Sequence, residues 1–136
     1  MKDLIIWDDT FTLGVAVIDE QHKKMIGIIN ELYHAMKSST EKENLSDIIT
    51  ELTEYADYHF TSEESFFDKC NYPGAKHHRK SHELYRETIN NFLIDYHNDE
   101  SVLPLKMIKF LGDWWSDHIR GEDRDYVLCF HACGLK

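Results

Sequence analysis

The chain has 136 residues, a length that suits one domain with one core, and it is 42% hydrophobic with a formal net charge of −10. That charge argues against nucleic acid, which needs a basic face, and favours a dissolved monomer. No apolar run approaches the ~20 residues of a membrane span, and the opening Met1-Lys2-Asp3-Leu4-Ile5-Ile6-Trp7 is not a secretory signal, so a cytosolic protein is expected.

Residues 1–18 read as an extended arm. Trp7-Asp8-Asp9-Thr10-Phe11-Thr12-Leu13-Gly14-Val15 mixes β-branched and aromatic residues with a turn and a glycine. A first helix is predicted over about 19–37, with an inward stripe of His22, Met25, Ile29, Leu32 and Met36. Ser38-Ser39-Thr40 should end it. A second helix over about 42–69 carries Leu52, Ala56, His59, Glu63 and Phe66 on one face. Asn71-Tyr72-Pro73-Gly74 stops it and leads into a third.

The third helix, about 75–97, has the stripe His78, His82, Tyr85, Ile89 and Phe92. After the polar turn Asn98-Asp99-Glu100-Ser101, a fourth starts near Ser101 or Pro104 and carries Ile108, Leu111, Trp115 and His118. A last segment, about 121–132, continues or bends away after Gly121. The fold class is all-α: an up-down-up-down four-helix bundle with an N-terminal arm, one domain over 1–136.

All four stripes bring a metal-ligand side chain inward. His59 and Glu63 are four residues apart, as are His78 and His82, so each pair shares a helix face. His22, His118 and Asp123 complete a set of five imidazoles and two carboxylates. Unpartnered, each would cost roughly 2–7 kcal/mol to bury, and a charge more. Imidazole with carboxylate suits iron better than thiolate zinc or all-oxygen calcium sites. Seven ligands exceed one octahedral ion. Two ions sharing Glu63, Asp123 and one solvent-derived bridge, oxo or hydroxo, fit the count, with six positions filled on one iron and five on the other. The vacant position suits a small ligand.

Competing motifs are weaker. His82-Glu83-Leu84-Tyr85 begins like a zinc-protease helix but ends in Arg86. Only Glu31-Leu32-Tyr33-His34 has the Glu-x-x-His spacing that ferritin-like di-iron bundles use twice. His34, His77, His97 and His131 fall off the stripes or near helix ends and read as solvated. Cys70, Cys129 and Cys133 are an odd count without C-x-x-C spacing, and read as plain reduced thiols near a helix end.

His118 and Asp123 are five residues apart, about 140° on an ideal helix. The helix must bend or widen near Gly121, for which a π-bulge is one means.

The arm with Trp7, Asp19-Glu20-Gln21-His22, His59-Phe60-Thr61-Ser62-Glu63-Glu64, His78 with His82, and His118-Ile119-Arg120-Gly121-Glu122-Asp123 together resemble the hemerythrin family, over essentially the whole chain. The resemblance implies that His78, His82 and His118 bind one iron, that His22 and His59 bind the other, and that Glu63 and Asp123 bridge. Dioxygen would bind the iron held by two histidines as both irons go from ferrous to ferric. Trp114, Trp115 and Ile119 are expected to wall that pocket. The implied function is reversible dioxygen binding for storage, delivery or sensing, rather than catalysis. Two alternatives stand beside it. One is a di-iron redox enzyme acting on peroxide or nitric oxide, or an iron donor for cluster repair; the other is a metal-free interaction bundle.

Overall fold

Gly14 ends the N-terminal arm with a φ of +89°, in the left-handed region that suits glycine. The structure, a computed structural model, describes residues 2–38, 42–98 and 104–136. They form helices α1 (Ala16–Ser38), α2 (Lys42–Cys70), α3 (Ala75–Asn98), α4 (Pro104–His118) and a short α5 (Val127–Ala132). α1 packs on α2 and α4, and α2 on α3, in an up-down-up-down bundle. The predicted turns at Ser39-Thr40 and Asp99-Glu100-Ser101 lie outside the described residues.

The arm is shorter than predicted, because α1 begins at Ala16. Asp19 does not open the helix. It sits inside the first turn, and its carboxylate reaches back to accept from the backbone N–H of Leu13 (2.9 Å) and of Gly14 (3.1 Å). A carboxylate there also complements the positive end of the helix. Further out, the arm is pinned by Asn30, which donates to and accepts from the Ile5 backbone, both at 2.9 Å.

α2 stops where Asn71 takes a positive φ of 51°. The Tyr72 N–H then bonds back to the Phe67 carbonyl at 3.0 Å, the return bond of a Schellman ending. Residue 119 opens the other local departure from α geometry. Ile119–Asp123 forms a π turn between α4 and the start of the C-terminal segment.

Two apolar clusters fill the bundle. One includes Met25, Ile29, Leu32, Leu52, Ala56, Phe60, Tyr85, Ile89, Leu111 and Trp115. The other joins Leu13, Val15 and Ile18 to Phe67, Tyr126 and Phe130. The predicted stripes hold with shifts of one position or one turn. Phe67, not Phe66, is the buried aromatic of the last turns of α2, and Met36 and Phe92 are only half-buried, while Tyr96 reaches the core. A helical stripe drifts relative to any fixed spacing, so its outermost members are the first to turn toward solvent.

The cysteine reading needs correction. Cys70 and Cys133 form a disulfide across 63 residues, with their Cα atoms 5.5 Å apart, and Cys129 alone is free. Sequence spacing could not show this. The chain returns after α4, and α5 lies along the last turns of α2. Closing so long a loop restricts the unfolded chain by roughly 4 kcal/mol in the chain-entropy account.

Candidate metal centre

His22, His59, Glu63, His78, His82, His118 and Asp123 meet between the two apolar clusters. Each is at most 4% exposed. α1 brings His22, α2 His59 and Glu63, α3 His78 and His82, and α4 His118; the π turn ends on Asp123.

The two carboxylates divide the histidines into two sets. Glu63 Oε1 lies 3.1 Å from His78 Nε2 and 3.0 Å from His82 Nε2, while its Oε2 lies 3.4 Å from His59 Nε2. Asp123 Oδ1 lies 2.9 Å from His78 Nε2 and 3.1 Å from His118 Nε2, while its Oδ2 lies 3.0 Å from His22 Nε2. Each carboxylate thus turns one oxygen to a three-histidine set and the other to a two-histidine set. Ligand atoms of Glu63, His78, His82 and His118 fall within 4.8 Å of one another, and so do those of His22, His59, Glu63 and Asp123.

Most of these atoms converge without a hydrogen-bond partner. His22 Nδ1 and Nε2, His59 Nε2, Glu63 Oε1, His82 Nε2 and both Asp123 oxygens are buried with no hydrogen-bond partner. Leaving such groups unsatisfied costs about 1–3 kcal/mol each. The Nε2 atoms of His78 and His118 face each other at 3.1 Å. Two imidazoles at right angles on one ion, each about 2.1 Å from it, would stand roughly 3 Å apart. The donor set and its orphaned atoms therefore fit a pair of cations.

Electrostatics point the same way. Burial opposes charge on His78 and His118, yet the neighbouring Asp123 and Glu63 raise them to about 9 and about 10. Burial also works against the ionised Glu63 and Asp123, and the surrounding imidazoles nonetheless hold both well below the usual carboxylate range. The cavity is built to contain positive charge.

A second set of side chains fixes the rings. The Nδ1–H of His59 donates to Gln21 Oε1 at 2.7 Å, and that of His82 to Glu64 Oε2 at 2.8 Å. Amide and carboxylate oxygens only accept, so each bond places the proton on Nδ1 and leaves the Nε2 lone pair facing the centre. His118 Nδ1 lies 3.6 Å from Glu122, which also accepts from the Ser81 hydroxyl. The Tyr126 hydroxyl donates to Glu63 Oε2 at 2.7 Å. Sequence reading assigned none of these roles. Gln21, Glu64 and Glu122 each neighbour a ligand in the sequence, which was the available signal. Tyr126 gave only its place one turn after Asp123.

The family model described as the hemerythrin HHE cation binding domain matches residues 13–128. The chain belongs to the hemerythrin family. A bacteriohemerythrin of Clostridium acetobutylicum is 32% identical over 130 residues, covering 91% of this chain and 99% of that protein. One from Pseudomonas aeruginosa is 31% identical over 123 residues, covering 90% and 79%. A crystal structure of wild-type hemerythrin superposes with a TM-score of 0.85 at 25% identity, over 93% of this chain and 97% of that one.

In this hemerythrin-family chain, the predicted pocket residues take different places. Trp115 is fully buried, 5.8 Å from the His59 ring, and stacks on Phe60 at 5.4 Å. Its indole N–H donates to the Tyr85 hydroxyl at 3.1 Å. Ile119 is also fully buried. Trp114 is half-buried and stacks on His118 at 4.2 Å, on the three-histidine side. Of the histidines read as solvated, His77 and His97 are exposed. His34 is instead half-buried against Asp3 at 2.7 Å, and His131 bonds the Gly14 carbonyl at 2.9 Å.

Proposed function

We propose that this chain binds dioxygen reversibly at two iron ions, one held by His78, His82 and His118 and the other by His22 and His59, with Glu63 and Asp123 shared between them. The observation that carries the reading is the unequal division of the histidines around two carboxylates that each face both sets. With a solvent-derived bridge, oxo or hydroxo, His78, His82, His118 and the two carboxylates would fill six positions on one ion, and His22, His59 and the same carboxylates would fill five on the other. Bound iron supplies the two electrons and the open position that dioxygen needs.

The protein's own part is to position and to exclude. Gln21 and Glu64 lock the tautomers and ring planes of His59 and His82. Tyr126 holds Glu63 Oε2, which steadies a carboxylate that serves both ions. Trp115 presents a buried ring beside His59 and stacks on Phe60, which in turn lies on the His82 ring at 3.9 Å. Phe60 has no polar hydrogen and the Trp115 indole N–H is committed to the Tyr85 hydroxyl, so neither ring offers a proton to a bound ligand, and both keep water out. That wall supports carriage of dioxygen over turnover of peroxide or nitric oxide, which would call for a proton donor at the open position.

The test is a visible spectrum of the ferrous protein before and after air, with metal analysis. The expected result is two irons per chain, a charge-transfer band that appears in air, and its loss when oxygen is removed. One iron per chain, or a band that does not reverse, would overturn the reading.

A further inference from the structure

The bond from Tyr126 to Glu63 is the first rung of a ladder. On α2, Glu63, Phe67 and Cys70 are spaced by four and then three residues, so they share one helix face. In the C-terminal segment, Tyr126, Phe130 and Cys133 have the same spacing. The two faces meet in register. Tyr126 donates to Glu63 at 2.7 Å, the Phe130 and Phe67 rings lie 6.0 Å apart, and Cys133 is bonded to Cys70. Tyr126 stacks on Phe130 at 4.1 Å, which couples the first rung to the second.

The last rung is covalent and reachable. Cys70 and Cys133 are both half-buried, not sealed in the core. The free thiol Cys129 stands one turn before Cys133, with its Sγ 3.6 Å from the Cys70 carbonyl. Residues 69–82 form the longest stretch of the chain without a carboxylate and contain Lys69, Lys76, Arg79 and Lys80. Lys69 directly precedes Cys70, and its carbonyl lies 3.9 Å from Cys133 Sγ. α5 has only six residues, too few to hold a helix without its tertiary contacts.

We propose that Cys70 and Cys133 are a thiol–disulfide exchange site for dithiol reductants, and that its state is transmitted along the ladder to Glu63. In the reducing direction the Cys70–Cys133 bond breaks, and a disulfide forms in the dithiol. Two electrons and two protons pass to the two cysteines. An oxidised thiol carrier such as glutathione disulfide reverses this, taking up the same electrons and protons as two glutathione thiols. Opening the bridge releases α5 from α2. Phe130 and Tyr126 then lose their tether, and the hydroxyl that steadies Glu63 is no longer fixed. The coupling to the metal pair rests on the reading of Glu63 as a shared iron ligand; the exchange chemistry does not.

The first experiment alkylates and weighs the folded chain. The air-oxidised protein should carry one reactive cysteine, and all three after dithiothreitol, with the four long helices retained and one reactive cysteine again after glutathione disulfide. A bridge that opens only when the chain unfolds, or three free thiols in air, would overturn the exchange site. The second experiment follows iron transfer to a ferrous chelator. Cys133→Ser should lose iron about tenfold faster than the wild type, in the range seen when a partner of a metal ligand is removed. Cys129→Ser, which keeps the bridge, should not. In a Tyr126→Phe background, Cys133→Ser should add little, because the rung it acts through is already gone. Equal release from Cys133→Ser and wild type, or an undiminished effect without the Tyr126 hydroxyl, would overturn the coupling. A wild-type chain that holds no iron would sink the metal reading, and the thiol counts would still decide the exchange.

Discussion

Asp123 stands five residues after His118, yet its Oδ1 lies 3.1 Å from the His118 Nε2. On a regular α-helix the two side chains would diverge by about 140°. The π turn over Ile119–Asp123 removes that divergence, because residues five apart fall nearly in line on it. The widened turn is what lets one stretch of chain bring both an imidazole and a carboxylate to the same point.

Gly121 sits inside that turn, but the turn does not depend on it. Its φ is not positive, and a Cβ built there meets nothing within 4 Å. Gly121→Ala should therefore keep both irons and stabilise the chain by roughly 0.4–1 kcal/mol through a less flexible unfolded state. Thermal melting and metal analysis check this. Lost iron would mean that the glycine itself, and not the ligand spacing, sustains the π turn.

The shared carboxylates should matter most to metal binding. Glu63→Gln or Asp123→Asn removes a charge that both ions need, in a site with no solvent to replace it. We expect iron to fall from about two per chain to one or fewer, with the bridged charge-transfer bands lost. His97→Ala, at an exposed position, should change neither. Full iron and intact bands in either carboxylate variant would show that the bridges are elsewhere.

Gln21→Ala and Glu64→Ala test the outer bonds separately. Each frees a ring held at 2.7 or 2.8 Å, in the two-histidine and three-histidine set respectively. Loss of such a partner typically weakens metal binding about 10–100-fold. Competition with a chelator should show one ion leaving early in each variant, and a different ion in each. Simultaneous loss of both would mean the two sets do not hold metal independently.

The legibility of this fold had a clear limit. The helices and the seven converging residues could be read because helical periodicity puts His22, His59, His78, His82 and His118 on the same stripes as known core types. The spacing of His118 and Asp123 even required a local departure from α geometry before any coordinates. What stayed hidden depended on contacts between distant segments. Asp19 reaching back to the Leu13 N–H, the Cys70–Cys133 bond and the Tyr126–Glu63 bond all need to know where the chain returns. No spacing along one helix carries that information. Gln21 and Glu64 lie between the two cases. Adjacency to a ligand marked them, but only the packing of α1 on α2 and of α2 on α3 turned them onto imidazoles 38 and 18 residues away.

Metal removal should loosen the centre without dissolving the bundle. The two apolar clusters lie on either side of the site and remain, so helix content should persist. The orphaned imidazoles and carboxylates lose their partners. A ligand at ~100 times its Kd adds ~2.7 kcal/mol, and each kcal/mol moves the melting temperature of a domain this size by roughly 3–5 °C. A fall of about 10 °C on removing iron is expected by calorimetry. An unchanged midpoint would show that the protein's own contacts satisfy the site.

Trp115 is the residue through which access to the open position should be tuned. It is fully buried beside His59, lies flat on Phe60 and is anchored by its bond to Tyr85. Trp115→Leu removes ring volume from that wall and leaves the Tyr85 hydroxyl without its donor. The cavity alone should cost about 2–4 kcal/mol of stability. Dioxygen should enter and leave faster, and autoxidation should quicken, because a looser wall admits water and protons. Trp114→Leu is the comparison. Its ring stacks on His118, in the set whose ion has no vacant position in our assignment, so stability should fall while both rates stay near wild type. Stopped-flow mixing with oxygen and the decay of the oxygenated band measure the two rates. If Trp114→Leu accelerated them and Trp115→Leu did not, dioxygen would be entering at the three-histidine ion, and our assignment of the open position would have to be reversed.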